Sequence, residues 1–435
     1  MGSAAGQGAF MGDSPRIRAM AIGGAAMMAV ALLLAGCTAP APDAPPTSTA
    51  SPDAGGSTAD PAEVAAIQAA VERTMEQNHV RAAIVRVLRG DEVVLMQAWG
   101  ESMAEVPATT DMHFRSGAVS IPMVSTVLLQ LVDEGTVTMD DTLATWMPDV
   151  PNADKVTLGQ LSQMTSGYAD YVQDPTFLDD FNRNPFRQWT PEELYTFGTS
   201  QPLLFEPGTN WGYAHTNYVL LALALEKITG QSMIDLIQER IFDPLGMEQT
   251  ADPGTPEILQ PVLHAFDSER REYLQVAEGL PYIEDSTYWN PSWSLGPGSI
   301  QNTDITDMAT VIQAIGRGDM VSAESFEKMI APTLRGKTTK LDACPNTCFV
   351  QNEFYTYGLG IVLSGDWLLQ NPQYHGFAGV TAYLPSEDIT VAIAATYADE
   401  AFDPSTGAPN SANIANPLFT AVATAVAPDA STPGT

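Results

Sequence analysis

Activating a serine hydroxyl takes a base within reach, and a lysine three residues on, about one helical turn away, is one such base. The sole Ser-x-x-Lys in the chain is Ser325-Phe326-Glu327-Lys328. It lies in a polar helical stretch, so it is expected to form a solvated helix face rather than a reaction centre. Ser116 and Ser120 are followed three residues later by Val119 and Met123, so neither has a lysine partner. Pro122 lacks an N–H and suits only a first helical turn, so Ser120 is expected to cap a helix that starts later. Tyr213-Ala214-His215 sets a phenol beside an imidazole, which reads evenly as a packed pair or as pocket lining. Tyr282, Tyr288, Trp289 and Trp293 are expected to pack a loop.

Three cysteines, Cys37, Cys344 and Cys348, are too few for a disulfide scaffold. Three residues separate Cys344 from Cys348, which removes CxxC redox chemistry, and no second Cys or His pair completes a zinc site. Outside the cytoplasm a short-loop disulfide is the expected state. No metal and no cofactor is expected. The chain carries 19 basic and 52 acidic residues, a net charge of −33. Neutralising phosphates needs a basic face, so nucleic acid and anionic head groups are poor partners. With 45% apolar residues among its 435, the chain can bury a sizeable core.

The elements that must position these residues follow from patterning. Asp60-Pro61-Ala62-Glu63 supplies an N-cap, a first-turn proline and an acidic residue at the capping-box position. Val64, Ile67, Val71 and Met75 then recur at helical spacing. Residues 82–88 and 92–99 read as a hairpin through Arg89-Gly90-Asp91, and residues 380–384 and 389–396 as a second pair around Pro385-Ser386-Glu387-Asp388. The middle is mostly helical, and residues 411–427 read as a terminal helix. The fold class is α/β (α+β): an antiparallel sheet flanked by terminal helices, with an inserted, mostly helical subdomain.

The N-terminus reads as an address. Arg16 and Arg18 precede an apolar run over 19–34, too short for a membrane span, and Leu34-Ala35-Gly36-Cys37 resembles the lipobox of bacterial lipoproteins. Residues 1–36 are thus expected to be a cleaved signal, Cys37 the lipidated residue, 37–59 a disordered Pro/Ala/Ser/Thr linker, 60–427 the domain and 428–435 a disordered tail. The product is expected to be exported and anchored to the outer face of the membrane through its lipid.

From about Asp60 to about Ala427 the sequence resembles the penicillin-recognising serine hydrolases, in particular the branch of class C β-lactamases, D-alanyl-D-alanine carboxypeptidases and related esterases. Leu161-Ser162-Gln163-Met164-Thr165-Ser166-Gly167 resembles that family's His-Thr-Ser-Gly segment, with methionine for histidine. Phe205-Glu206-Pro207-Gly208-Thr209, Tyr213 to Tyr218, Pro244-Leu245-Gly246-Met247 with Thr250, and Tyr357-Gly358-Leu359-Gly360 match further blocks in order. The resemblance implies a serine nucleophile with a lysine three residues on, a tyrosine that relays the proton, and a strand motif of His or Lys followed by Gly.

In this sequence the nucleophile segment is Phe114-Arg115-Ser116-Gly117-Ala118-Val119-Ser120-Ile121, anchored downstream by residues 129–135. The match places Ala118 at the nucleophile and Ile121 at the lysine. Tyr213 retains its hydroxyl, with His215 where asparagine is commoner. Tyr374-His375-Gly376-Phe377 matches the strand motif, with Phe377 for its last glycine. No catalytic set is intact. The remnant pocket is expected to comprise Ser120, Tyr213, His215, His375 and Gly376. Two functions follow: a degenerate, surface-tethered binding or regulatory protein for peptidoglycan-peptide or other small-molecule ligands, or a true hydrolase that uses a displaced nucleophile. Loss of a catalytic serine costs on the order of a million-fold in turnover, which favours the first.

Overall fold

The computed structural model describes residues 59–299 and 301–431; the expected signal peptide, Cys37 and the expected linker before Ala59 lie outside them. Helix α1 (Pro61–Asn78) starts where its cap signals place it: Asp60 accepts the Ala62 N–H at 2.9 Å. Pro61 takes the first position, where a missing N–H costs nothing. Glu63 does not close a capping box but turns its carboxylate to Arg89 at 2.9 Å.

Among the described residues nine strands form the main sheet: β1 (Val80–Arg89), β2 (Glu92–Met103), β3 (Val106–Pro107), β4 (Thr356–Tyr357), β5 (Val362–Ser364), β6 (Trp367–Gln370), β7 (Gln373–Tyr374), β8 (Phe377–Leu384) and β9 (Ile389–Tyr397). Their order is β3-β2-β1-β9-β8-β6-β5-β4, with β7 also paired to β8 and every pairing antiparallel. The first and last hairpins therefore meet at the centre, where Ile84 faces Ala394 and Val380 faces Ile393. Both hairpins stand where the sequence puts them, with longer strands and a first turn of only Gly90-Asp91.

Four further helices organise the rest: α2 (Ser120–Asp133), α3 (His215–Thr229), α4 (Ile305–Arg317) and α5 (Ala415–Val426). Every residue of β8 and β9 is buried, so the sheet centre is covered on both faces. Helices α1 and α5 pack on each other and on the sheet, while α4 packs on β1, β8 and β9. Helix α3 is buried without a break from Thr216 to Leu225, as befits a helix inside the inserted region rather than on its surface. No helix among the described residues is long and apolar enough to cross a membrane.

The matched sequence blocks meet in space. Ser125 of α2 shares hydrogen bonds with Ser162 (2.9 Å) and the Tyr218 hydroxyl (2.8 Å), and Tyr218 reaches the Ser162 carbonyl at 2.7 Å. Gly360 closes over them: at φ +75° it has no Cβ, which would sit 2.3 Å from Ser125 Oγ. Thr250 donates to Asp307 of α4 at 2.9 Å. The tail is tied down as far as residue 431, where Ser431 donates its N–H and hydroxyl to Asp366, both at 2.8 Å.

Candidate functional site

A short 3₁₀ turn, Gly117–Val119, leads into α2. Ala118 lies on it and lines a cavity of about 130 Å³ together with Tyr213, His215, Trp293 and Tyr374. Gly117 makes this approach feasible: at φ +54° a Cβ would fall 2.7 Å from Pro372 Cβ on the opposite wall. Ile121 is fully buried in the core. The position at which the resemblance implies a nucleophile therefore presents a methyl group to the cavity. The cavity lining includes no lysine, arginine or carboxylate.

Neither nearby serine replaces it. Ser116 is buried and donates to the Gln301 carbonyl at 3.3 Å. Ser120 corrects the expectation of a cap: α2 begins at Ser120 itself, after Val119, with no side-chain cap. The Ser120 hydroxyl donates to the carbonyls of Gly117 (3.0 Å) and Ser299 (3.2 Å), and the residue has no exposed surface. It fastens the turn from behind and does not line the cavity. Pro122 falls in the first turn of α2, where it has no hydrogen bond to break. The distant Ser325 and Lys328 do not act together: Ser325 donates to Asp133 at 2.6 Å and Lys328 pairs with Glu324 at 2.8 Å.

Tyr213 and His215 do reach the cavity. Burial pushes the Tyr213 phenol far above its ordinary pKa, and the neighbouring Asp170 adds to the effect. With no cation in the lining to offset that, Tyr213 stays protonated and serves as a donor rather than a base. His215 is held by Asp170, whose side chain is 4% exposed: Nδ1 lies 3.1 and 3.2 Å from the two carboxylate oxygens, and the His215 backbone N–H donates to the same group at 3.1 Å. The carboxylate selects the tautomer with its proton on Nδ1 and leaves Nε2 as an acceptor. Asp170 carries no motif that would single it out in the sequence.

The far wall is the break between β6 and β7. Gln370, Asn371, Pro372 and Gln373 line the cavity there. Pro372 has no N–H, so the strand edge lacks a donor where it approaches Gly117. The Asn413 side-chain amide holds the segment from outside, donating to the carbonyls of Asn371 and Pro372 at 2.9 Å each. Asn371-Pro372 is a visible strand breaker in the sequence, but its position on the wall is not.

His375 and Gly376, placed in the pocket by the sequence reading, are not in its lining. His375 sits one ring behind, 4.9 Å from Trp293 and stacked 4.8 Å from Phe181. Its Nδ1 lies 3.3 Å from Glu269 and 3.5 Å from Asp267. Burial works against a charge on this imidazole, yet the two carboxylates outweigh it and raise its pKa to about 9. Gly376 lies against the backbone of Phe266, where a Cβ would meet the carbonyl oxygen at 2.4 Å. Phe377 is buried at the start of β8 and leaves the cavity unobstructed. Trp289 and Trp293 are buried in this aromatic cluster, and only Trp293 reaches the cavity. Cys344 and Cys348 are joined in a disulfide; Thr347 between them accepts the Tyr213 N–H at 3.0 Å, so the loop braces the tyrosine segment.

The fold, the ordered blocks and this cavity agree with what comparison shows: the chain belongs to the beta-lactamase family, whose model matches residues 67–416. It is 25% identical to Penicillin-binding protein 4* of Bacillus subtilis over 310 residues, 70% of this chain and 63% of that protein. It is 28% identical to a D-aminopeptidase of Brucella anthropi over 196 residues, 43% of this chain and 36% of that one. The chain thus spans less than two thirds of the length of these relatives. A D-stereospecific amidohydrolase from a Streptomyces species superposes with a TM-score of 0.67 at 24% identity, over 84% of this chain and 98% of that one, which shows a shared fold.

Proposed function

We propose that this chain is an exported, lipid-anchored member of the family that binds ligands without acylation, and that its ligands are cell-wall peptides. The observation that carries the reading is the pairing of Ala118 on the cavity wall with Ile121 in the core. Covalent catalysis by this fold needs a hydroxyl at the first position and an amine at the second. The protonated Tyr213, the locked carbonyls of Asn371 and Pro372, and the missing N–H of Pro372 all support the same reading. The cavity still offers a phenol donor and the acceptor Nε2 of His215. About 130 Å³ holds one small end group, whereas sites that enclose a drug-sized ligand run to roughly 300–1,000 Å³. A peptide terminus in D-alanine has that size. The anchor rests on the lipobox-like run ending at Cys37.

The test is intact-mass analysis after exposure to a β-lactam panel and a fluorophosphonate, beside calorimetric titration with a D-Ala-D-Ala peptide. No covalent adduct is expected, and peptide binding should weaken at least several-fold in His215→Ala. Stoichiometric labelling at Ser116 or Ser120, abolished by alanine there, would establish a displaced nucleophile instead. Absence of peptide binding would remove the ligand assignment.

A further inference from the structure

Asp267, Glu269 and His375 come together from two segments more than a hundred residues apart, and among the described residues each offers a ligand atom within 4.8 Å of the other two. Asp267 closes the short strand Phe266–Asp267, which pairs with Glu284–Asp285. Its Oδ1 is occupied by the Glu269 N–H at 2.6 Å, so Oδ2 is the oxygen that faces the imidazole. His375 stands on the turn between β7 and β8. Ser286 donates to its carbonyl at 2.6 Å, which fixes that turn against the end of the Glu284–Asp285 strand.

The distances also fit the edges of a coordination polyhedron. His375 Nδ1 is buried and ion-paired with two carboxylates, 3.3 Å from Glu269 Oε2 and 3.5 Å from Asp267 Oδ2, without a well-aligned hydrogen bond to either. Bonds of about 2.0–2.2 Å at tetrahedral angles set neighbouring ligand atoms roughly 3.3–3.6 Å apart. The two measured edges fall in that range. The third closes by rotation of Glu269, whose side chain is 35% exposed and gives access from solvent. The neighbouring cations are committed elsewhere: Arg270 holds Glu284 at 2.7 and 2.9 Å, and Arg81, stacked over Phe266, holds Asp399 at 2.6 Å.

We propose that Asp267, Glu269 and His375 bind one divalent transition-metal cation, zinc by preference, which clamps the 266–269 segment to the Tyr374–Phe377 turn. One imidazole with two carboxylates suits zinc, whereas calcium and magnesium favour sites built from oxygen alone. Water fills the fourth position on the open side of Glu269. The clamp is structural: Tyr374 beside His375 lines the cavity, so the cation stiffens that wall without entering it.

The untagged full chain, stripped with a chelator, is titrated with zinc against a chromophoric competitor, and its thermal transition is followed with and without metal. One equivalent should bind at sub-micromolar zinc and raise Tm by several degrees. In His375→Gln and Asp267→Asn the affinity should drop at least tenfold and the Tm shift should vanish. Equal binding in both variants means an adventitious ion only and overturns the site, as does failure of the wild type to bind. Should either variant not fold, cobalt(II) added to the wild type decides: visible d–d bands support the site and a featureless titration removes it.

Discussion

Helix α2 at Ser125 and the entry to that helix, from the Gly117–Val119 turn to Ile121, have gone in opposite directions. At Ser125 the helix holds a buried hydroxyl bonded to Ser162 and Tyr218, with Gly360 pressed against it. Ala118 on the turn and Ile121 at the start of the helix show only hydrocarbon. The difference lies in what each side chain leaves behind when it changes. Removing the Ser125 hydroxyl strands polar partners in the core, and each unsatisfied group costs about 1–3 kcal/mol. A methyl at 118 faces a cavity and an aliphatic at 121 joins the core, so neither strands anything. Fold and reactivity are therefore separable within one short segment of chain.

The largest expected effect tests that separation directly. Ala118→Ser with Ile121→Lys should form a covalent penicillin adduct detectable by mass, against none in the wild type; no adduct in either would place the defect in the Pro372 wall as well. Gly360→Val should break the framework side. A β-branched residue at φ +75° that also meets Ser125 and Tyr218 should cost roughly 2–5 kcal/mol in denaturant unfolding. Ser120→Ala removes the donor to two carbonyls and should cost about 1–2 kcal/mol by the same measurement, with labelling unchanged at zero. The smallest change is Ala118→Ser alone. A hydroxyl at the cavity edge should leave stability within about 0.5 kcal/mol and, without a lysine, should still yield no adduct.

The framework was legible because its signals are local. Asp60-Pro61 marked the start of α1, the Gly90-Asp91 turn separated two apolar runs, and the ordered blocks from Leu161 to Gly360 carried the family resemblance. The assignment of Ala118 and Ile121 to the nucleophile and lysine positions implied by the resemblance rests on the same kind of signal, since flanking residues set their register. The wall of the cavity was not. Whether Gln373 or His375 borders it depends on where β6 breaks and β7 turns, and Pro372 and Asn413 decide that through contacts 41 residues apart in the chain. Ser120 was misread because its hydroxyl can cap or donate, and the nearby carbonyl of Ser299 settled the choice.

Sequence alone determined the elements, their order, the family and the residue types, Ala118 and Ile121, at the positions where the resemblance implies a serine and a lysine, because each is written in residue type and short-range spacing. Tertiary structure decided which side chains share a space. It set Asp170 behind His215, buried Tyr213 so that its proton stays, and drew His375 out of the pocket to Asp267 and Glu269. Desolvation and charge pairing depend on distance in three dimensions, and separations of 45 and 108 residues along the chain say nothing about it.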